Sequence, residues 1–133
     1  MIDSRELRKG NIVRRLVHLP IGYHTPTLPY TEVVEIRDNY VETRMGTDKY
    51  NEIDPVTLSM DILSRSGGKK HSDNCVIFDP DSADMPHIYL MREGDKFFLS
   101  NEKSEKCSMP IESLHHFQNL YFDVTGRELK VIL

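Results

Sequence analysis

The first half of the chain carries short apolar and β-branched runs separated by turn residues. One such run predicts a strand over residues 11–19, and the prolines after it predict a loop over residues 20–29, because proline cannot donate the hydrogen bonds of a strand. Residues 32–36 and 40–43 predict a hairpin whose turn is Asp38-Asn39, a pair that tolerates positive φ. No helical period occurs among these runs, which indicates a small sheet.

A turn at residues 46–48 and a further strand-like run at residues 50–53 complete this β pattern, which ends at Asp54-Pro55. Several short strands that follow one another without a helical period are typical of a small curled sheet or barrel. We therefore expect residues 1–54 to form an SH3-like β-lobe.

Helical spacing first appears in the second half of the chain. Apolar residues within 58–66 predict a short helix, with Ser59 as its N-cap and Gly67-Gly68 as its left-handed stop. The polar residues 69–74 that follow predict a loop, and the apolar residues 75–78 predict a strand.

A second hairpin and an amphipathic helix are predicted for the rest of the chain. Residues 87–91 and 96–99 flank Glu93-Gly94-Asp95, which we interpret as a three-residue turn. The helix ends just before Gly126, and residues 128–133 have the pattern of a closing strand. The apolar stripe of the helix consists of Leu114, Phe117, Leu120, Tyr121 and Val124.

These elements together predict an α+β protein. We expect an N-terminal SH3-like small β-barrel over residues 1–54, followed by a lobe of antiparallel strands with two helices over residues 55–133. The length of 133 residues is typical of one domain, so we expect the two lobes to pack as one compact unit.

Charge limits the classes of partner. The net charge of −4 and the pI near 5.8 do not match a protein that binds nucleic acid over its whole surface. A local excess of positive charge within residues 5–15 nevertheless keeps nucleic-acid binding as an alternative function. This basic cluster consists of Arg5, Arg8, Lys9, Arg14 and Arg15.

No apolar run has the length of a signal peptide core or a membrane span, so the sequence predicts a cytoplasmic protein without a membrane partner. Cys75 and Cys107 lack the spacing of a zinc ribbon or a redox motif and are expected to be free thiols. We expect no cofactor, and the sequence leaves the oligomeric state open.

Two groups of residues have side chains that bind metal ions in other proteins. Glu112, His115 and His116 share one side of the predicted helix, but a carboxylate-histidine metal site of this kind needs a second copy, which the sequence lacks. We therefore favour a packed His115 and a His116 that faces water. The acidic turn at residues 79–84 lacks the glycine and glutamate of a calcium loop. A small metal-dependent hydrolase is an alternative function.

Three sequence blocks are distinctive: ELRKGNIV at residues 6–13, DPVTLS at residues 54–59 and LHHFQNLYFDVTGREL at residues 114–129. They resemble a family of small proteins from gut anaerobic bacteria and their prophages or mobile elements, which begins with an ELRIGN-type block and ends with an LHQLQNLYFALTGEEL-type block. The family has no assigned activity, so the resemblance implies a layout and a genomic setting but no catalytic residue. The chain departs from the family pattern at Gly67-Gly68, where the family has Gly-Phe, and at His116, Asp123 and Arg127.

The sequence has no convergent set of catalytic residues, which predicts a non-enzymatic binding or adaptor module with a protein partner. The resemblance implies that this module comes from a phage or mobile element. Small β-barrels bind through their loops, and the loop that ends at Tyr30 carries aromatic side chains among prolines. On the last helix, the outward candidates are Gln118, Asn119 and Phe122. The expected binding residues are Tyr23, His24, Tyr30, Arg14, Arg15 and Phe122.

Overall fold

The protein is described here by a computed structural model that covers residues 2, 4–15, 30–78, 87–101 and 105–132. The chain divides into two compact units, Met1–Val56 and Thr57–Leu133. Each unit contains one antiparallel sheet, and the second unit adds two α-helices, so the predicted α+β class is confirmed.

The first unit contains a five-stranded sheet in which the strands lie in the order β4-β3-β2-β1-β5. The hairpin predicted around Asp38-Asn39 is confirmed, with the backbone N–H of Arg37 donating to Tyr40 O at 3.0 Å. Short 3-10 turns precede the first and last strands. The strands are β1 Ile12–Arg15, β2 Tyr30–Ile36, β3 Tyr40–Thr43, β4 Gly46–Lys49 and β5 Ile53–Pro55.

Strand β2 takes part in two pairings. Its first residues pair with β1 and its last residues pair with β3, and the register shifts between Val33 and Glu35. Such a bulge bends a strand and increases its twist. Among the residues that the structure covers, the strands form an open sheet and no closed barrel is found. The apolar core of the unit consists of Ile2, Leu7, Val13, Val33, Val41 and Ile53.

The turn predicted at residues 46–48 is wrong, because these residues belong to β4 and the turn is Arg44-Met45. The strand predicted over residues 50–53 is also wrong in its first part, because Tyr50–Glu52 form a 3-10 turn and β5 begins at Ile53. Three of the four residues of β4, Gly46, Asp48 and Lys49, are of types depleted in strands. They are held as a strand by full pairing with β3 and by an ion pair between the buried Asp48 and Arg15.

The second unit contains a four-stranded meander in the order β6-β7-β8-β9. The predicted second hairpin is confirmed, although its turn is shorter than expected: Glu93 pairs with Lys96, which leaves only Gly94-Asp95 in the turn. Both predicted helices are also confirmed. The elements are helix α1 Met60–Arg65, strands β6 Lys69–Ser72, β7 Cys75–Phe78, β8 Ile88–Glu93 and β9 Lys96–Ser100, and helix α2 Leu114–Thr125.

The N-cap Ser59 and the glycines after both helices lie where the sequence predicted them, and the structure adds Ser113 as the N-cap of α2. The Ser59 and Ser113 hydroxyl oxygens each accept the backbone N–H three residues further on, at 3.1 and 3.3 Å. Gly67 and Gly126 follow the last turns with φ of 104° and 72°, a region that favours glycine. The ends of both helices are therefore determined by local residue types.

Two predicted secondary-structure assignments in the second unit are wrong. Residues 69–74 were expected to be a loop, but most of them form β6, an exposed edge strand held by its pairing with β7. Residues 128–132 were expected to lie in a closing strand and form none. Bridges at Phe97–Ile111 and Ser100–Lys106 occupy the outer edge of β9. The final segment instead buries Leu129.

Candidate functional site

Two of the predicted binding residues, Arg14 and Tyr30, lie opposite each other on adjacent strands. Arg14 is also opposite Asp54 on β5, and its Nη2 donates to Asp54 Oδ2 at 3.0 Å. Because Val13 is buried in the core, the alternation of a strand places Arg14 on the opposite face of the sheet. Tyr30, Arg14 and Asp54 are all half-buried and form a row across three neighbouring strands, which we call the outer row.

Arg15, the next residue in the chain, makes its hydrogen bonds to other residues of the first unit. Its Nε and Nη2 donate to the two carboxylate oxygens of Asp48 at 2.6 and 3.0 Å, and its Nη1 donates to Met45 O at 3.2 Å. A two-pronged guanidinium–carboxylate pair of this kind is among the stronger side-chain hydrogen-bond arrangements. The hydrogen bond to Asp48 raises the pKa of Arg15 above its ordinary value, so the guanidinium stays charged. Arg15 therefore stabilises the first unit.

Carboxylates also neutralise other members of the basic cluster. Lys9 pairs with Glu35 at 3.2 Å, in addition to the pairs that Arg14 and Arg15 make. Arg5 and Arg8 also have interaction partners. A phosphate backbone would have to compete with these partners for the same positive charges.

The two histidines of α2 make contacts close to the start of the helix. The Ser113 hydroxyl lies 3.1 Å from His115 Nδ1, and the side chain of His115 is buried at 2% exposure. The prediction of a packed His115 is confirmed. His116 is half-buried, and its Nδ1 accepts the backbone N–H of Glu112 at 3.3 Å. Within the described part of the chain, no group of three or more metal-binding side chains comes together.

The buried face of α2 differs from the predicted stripe. Phe117 and Tyr121 contact Phe78 of the sheet, with ring centroids 5.3 and 6.0 Å apart, and these contacts fix the rotation of the helix. Gln118 is then buried at 2% exposure, so the prediction that it faces outward is wrong, while Val124 of the stripe is 44% exposed. Phe122 is half-buried and belongs to the second unit, so it is not part of the outer row.

Both cysteines are free thiols, as predicted. Cys75 is buried, and burial raises the pKa of its thiol above the ordinary value. Because the thiolate is the reactive form, this burial disfavours Cys75 as a nucleophile at neutral pH. Cys107 is exposed, and its thiol donates to Glu105 O at 3.4 Å.

Tyr23, His24 and the acidic turn at residues 79–84 lie outside the described residues. Asp48 and Asp54 were not predicted as partners of these arginines, because they were expected in a turn and at the end of the β pattern. The adjacent arginines at the end of β1 were a signal for such acidic partners, because charged side chains beside an apolar core need partners of opposite charge.

Comparison of the chain with protein-family models, with curated proteins and with solved structures finds no match. Neither helix in the described ranges is long and apolar enough to cross a membrane. Function therefore has to be inferred from the geometry of the described side chains.

Proposed function

We propose that this chain is a non-enzymatic binding module that recognises a protein partner through the outer row of its first unit. The proposal includes a cytoplasmic location and, from the resemblance of the three sequence blocks, an origin in a phage or mobile element. It rests on one observation: Tyr30 and Arg14 lie directly opposite each other on adjacent strands, and Asp54 holds the Arg14 guanidinium in place.

The outer row has the residue types and the rigidity that protein interfaces use. Tyrosine and arginine are enriched among the residues that contribute most to binding, because each combines a large contact area with hydrogen-bonding groups. Arg14 is held by Asp54, so less side-chain entropy is lost when a partner binds. The row also lies on paired strands, which position side chains more accurately than loops do.

An SH3-like barrel for the first unit is part of the same proposal. Two features support it: β2 is shared between two pairings across a bulge, and the last strand, β5, returns to pair with the first strand after a 3-10 turn. A sheet with this connectivity curls on itself. Small barrels of this class bind partners through their loops.

Photo-crosslinking tests the proposal with a matched control. A photoreactive phenylalanine derivative replaces Tyr30 in one variant and Tyr40 in another, because Tyr40 is a 39% exposed tyrosine on the same unit but outside the outer row. Both variants are irradiated in the source cells. We expect a discrete adduct from position 30 that is absent from position 40.

A second substitution tests whether the adduct depends on the outer row. Arg14→Gln in the position-30 variant removes the charge that Asp54 holds and should reduce the adduct severalfold, while circular dichroism verifies that the fold is retained. Equal adducts from positions 30 and 40, or an adduct that Arg14→Gln leaves unchanged in a folded protein, would contradict the proposed function.

A further inference from the structure

Arg15 connects two strands that are not neighbours in the sheet. Strands β2 and β3 separate β1 from β4, so a flat sheet would place β1 and β4 about 14 Å apart at the usual strand spacing. Arg15 Nε nevertheless lies 2.6 Å from Asp48 Oδ2. The contact requires the sheet to curl until its first and fourth strands approach each other.

The Arg15 side chain, and not backbone pairing, holds β1 close to β4. Among the strand pairings of the described residues, none joins β1 to β4. All three nitrogens of the Arg15 guanidinium are used, two on Asp48 and one on the carbonyl of Met45 in the β3–β4 turn. Gly46 leaves space for the group, because a Cβ at that position would lie 3.3 Å from Arg15 Nη2.

Strand β4 has few other contacts that hold it in place. Asp48 is the one buried residue of the strand, and β4 contributes no side chain to the apolar core of the first unit. Segments with little buried apolar surface open at a lower free energy than the core does. Besides its pairing with β3, β4 is held by Arg15 and by a hydrogen bond that the Lys49 backbone N–H donates to Glu52 Oε1 at 3.0 Å.

We propose that Arg15 is a latch that keeps the sheet of the first unit curled, and that release of this latch opens β4 and the Arg44-Met45 turn while the rest of the unit stays folded. Arg15 is also the last residue of β1, directly before residues 16–29. One side chain thus connects the end of β1 to the β3–β4 turn. This inference is independent of the proposed binding function, because it concerns the face of β1 opposite to Arg14.

Hydrogen exchange on the full chain tests the latch, with Arg15→Met as the variant and Arg14→Met as the matched control. Arg14 also pairs with an aspartate, but its pair joins β1 to β5, which are already hydrogen-bonded neighbours. We expect amides of residues 46–49 to exchange about tenfold faster in Arg15→Met, which corresponds to ~1.4 kcal/mol. Exchange in β2 should change little, and Arg14→Met should leave residues 46–49 protected.

Two milder variants decide the question if Arg15→Met does not fold. Asp48→Asn removes the charge of the acceptor, and Arg15→Lys keeps the positive charge but loses the two-pronged contact. Faster exchange confined to residues 46–49 in these variants supports the latch. Unchanged exchange at residues 46–49 in a folded variant, or equal acceleration across all strands of the unit, would overturn it.

Discussion

At the scale of single residues, Gly68 shows how packing dictates residue type. A Cβ at this position would lie 2.3 Å from Val76 Cγ1 and 2.8 Å from Leu63 O. Its backbone N–H donates to that same carbonyl at 2.9 Å, so the chain cannot move away without losing a hydrogen bond. Position 68 therefore has no room for even one additional carbon.

Replacement of Gly68 by alanine should therefore destabilise the second unit. We expect Gly68→Ala to lower the free energy of unfolding by ~2–3 kcal/mol, because β7 and the end of α1 must shift to remove the overlap. Gly94→Asn is the control: Gly94 has φ of 65° and open space around it, and asparagine tolerates this conformation. Urea denaturation measures both variants. A larger loss for Gly94→Asn than for Gly68→Ala would contradict the packing argument.

Only part of the outer row could be predicted from residue types. Arg14 and Tyr30 were both predicted as binding residues, but their juxtaposition depends on the register of β1 against β2, which no local signal encodes. The burial of Gln118 was missed for a similar reason. The rotation of α2 is fixed by aromatic contacts with Phe78, and those contacts come from tertiary packing.

At the scale of elements, the predicted helices and hairpins are those with strong local signals. Ser59 and Ser113 cap the helices, and the hairpins turn at residue pairs suited to tight turns. Strands β4 and β6 were missed because their residues are mostly polar and exposed. Their strand conformation comes from pairing with a neighbouring strand, so it could not be predicted from propensity alone.

Helix α1 has only six residues, so its stability depends strongly on its N-cap. Ser59→Ala removes the acceptor for the Ile62 N–H and should lower the free energy of unfolding by ~1 kcal/mol. Ser59→Asp keeps an acceptor oxygen and adds a negative charge where the helix favours one, so it should unfold close to the wild type. Thermal unfolding followed by circular dichroism compares the two. If the aspartate variant lost as much stability as the alanine variant, capping would not be the cause.

At the scale of the whole molecule, the distribution of charge bears on the alternative function of nucleic-acid binding. The net charge is −4, and Lys9, Arg14 and Arg15 of the basic cluster each pair with a carboxylate. Nucleic-acid affinity comes largely from the counterions that positive side chains release when they contact phosphates. Side chains already neutralised within the protein contribute little to that release, so the internal ion pairs disfavour nucleic-acid binding by the basic cluster.

We therefore expect the purified chain not to retard duplex or single-stranded nucleic acid in a mobility-shift titration, even at the lower of two salt concentrations. The double variant Glu35→Gln with Asp54→Asn serves as the comparison, because it removes the carboxylates that pair with Lys9 and Arg14 and makes the net charge two units less negative. Weak retardation by this variant alone, lost at the higher salt concentration, would show that internal pairing is what suppresses binding. Salt-sensitive retardation by the wild type would instead mean that the basic cluster reaches phosphates despite its carboxylate partners, and would favour nucleic-acid binding over the outer row.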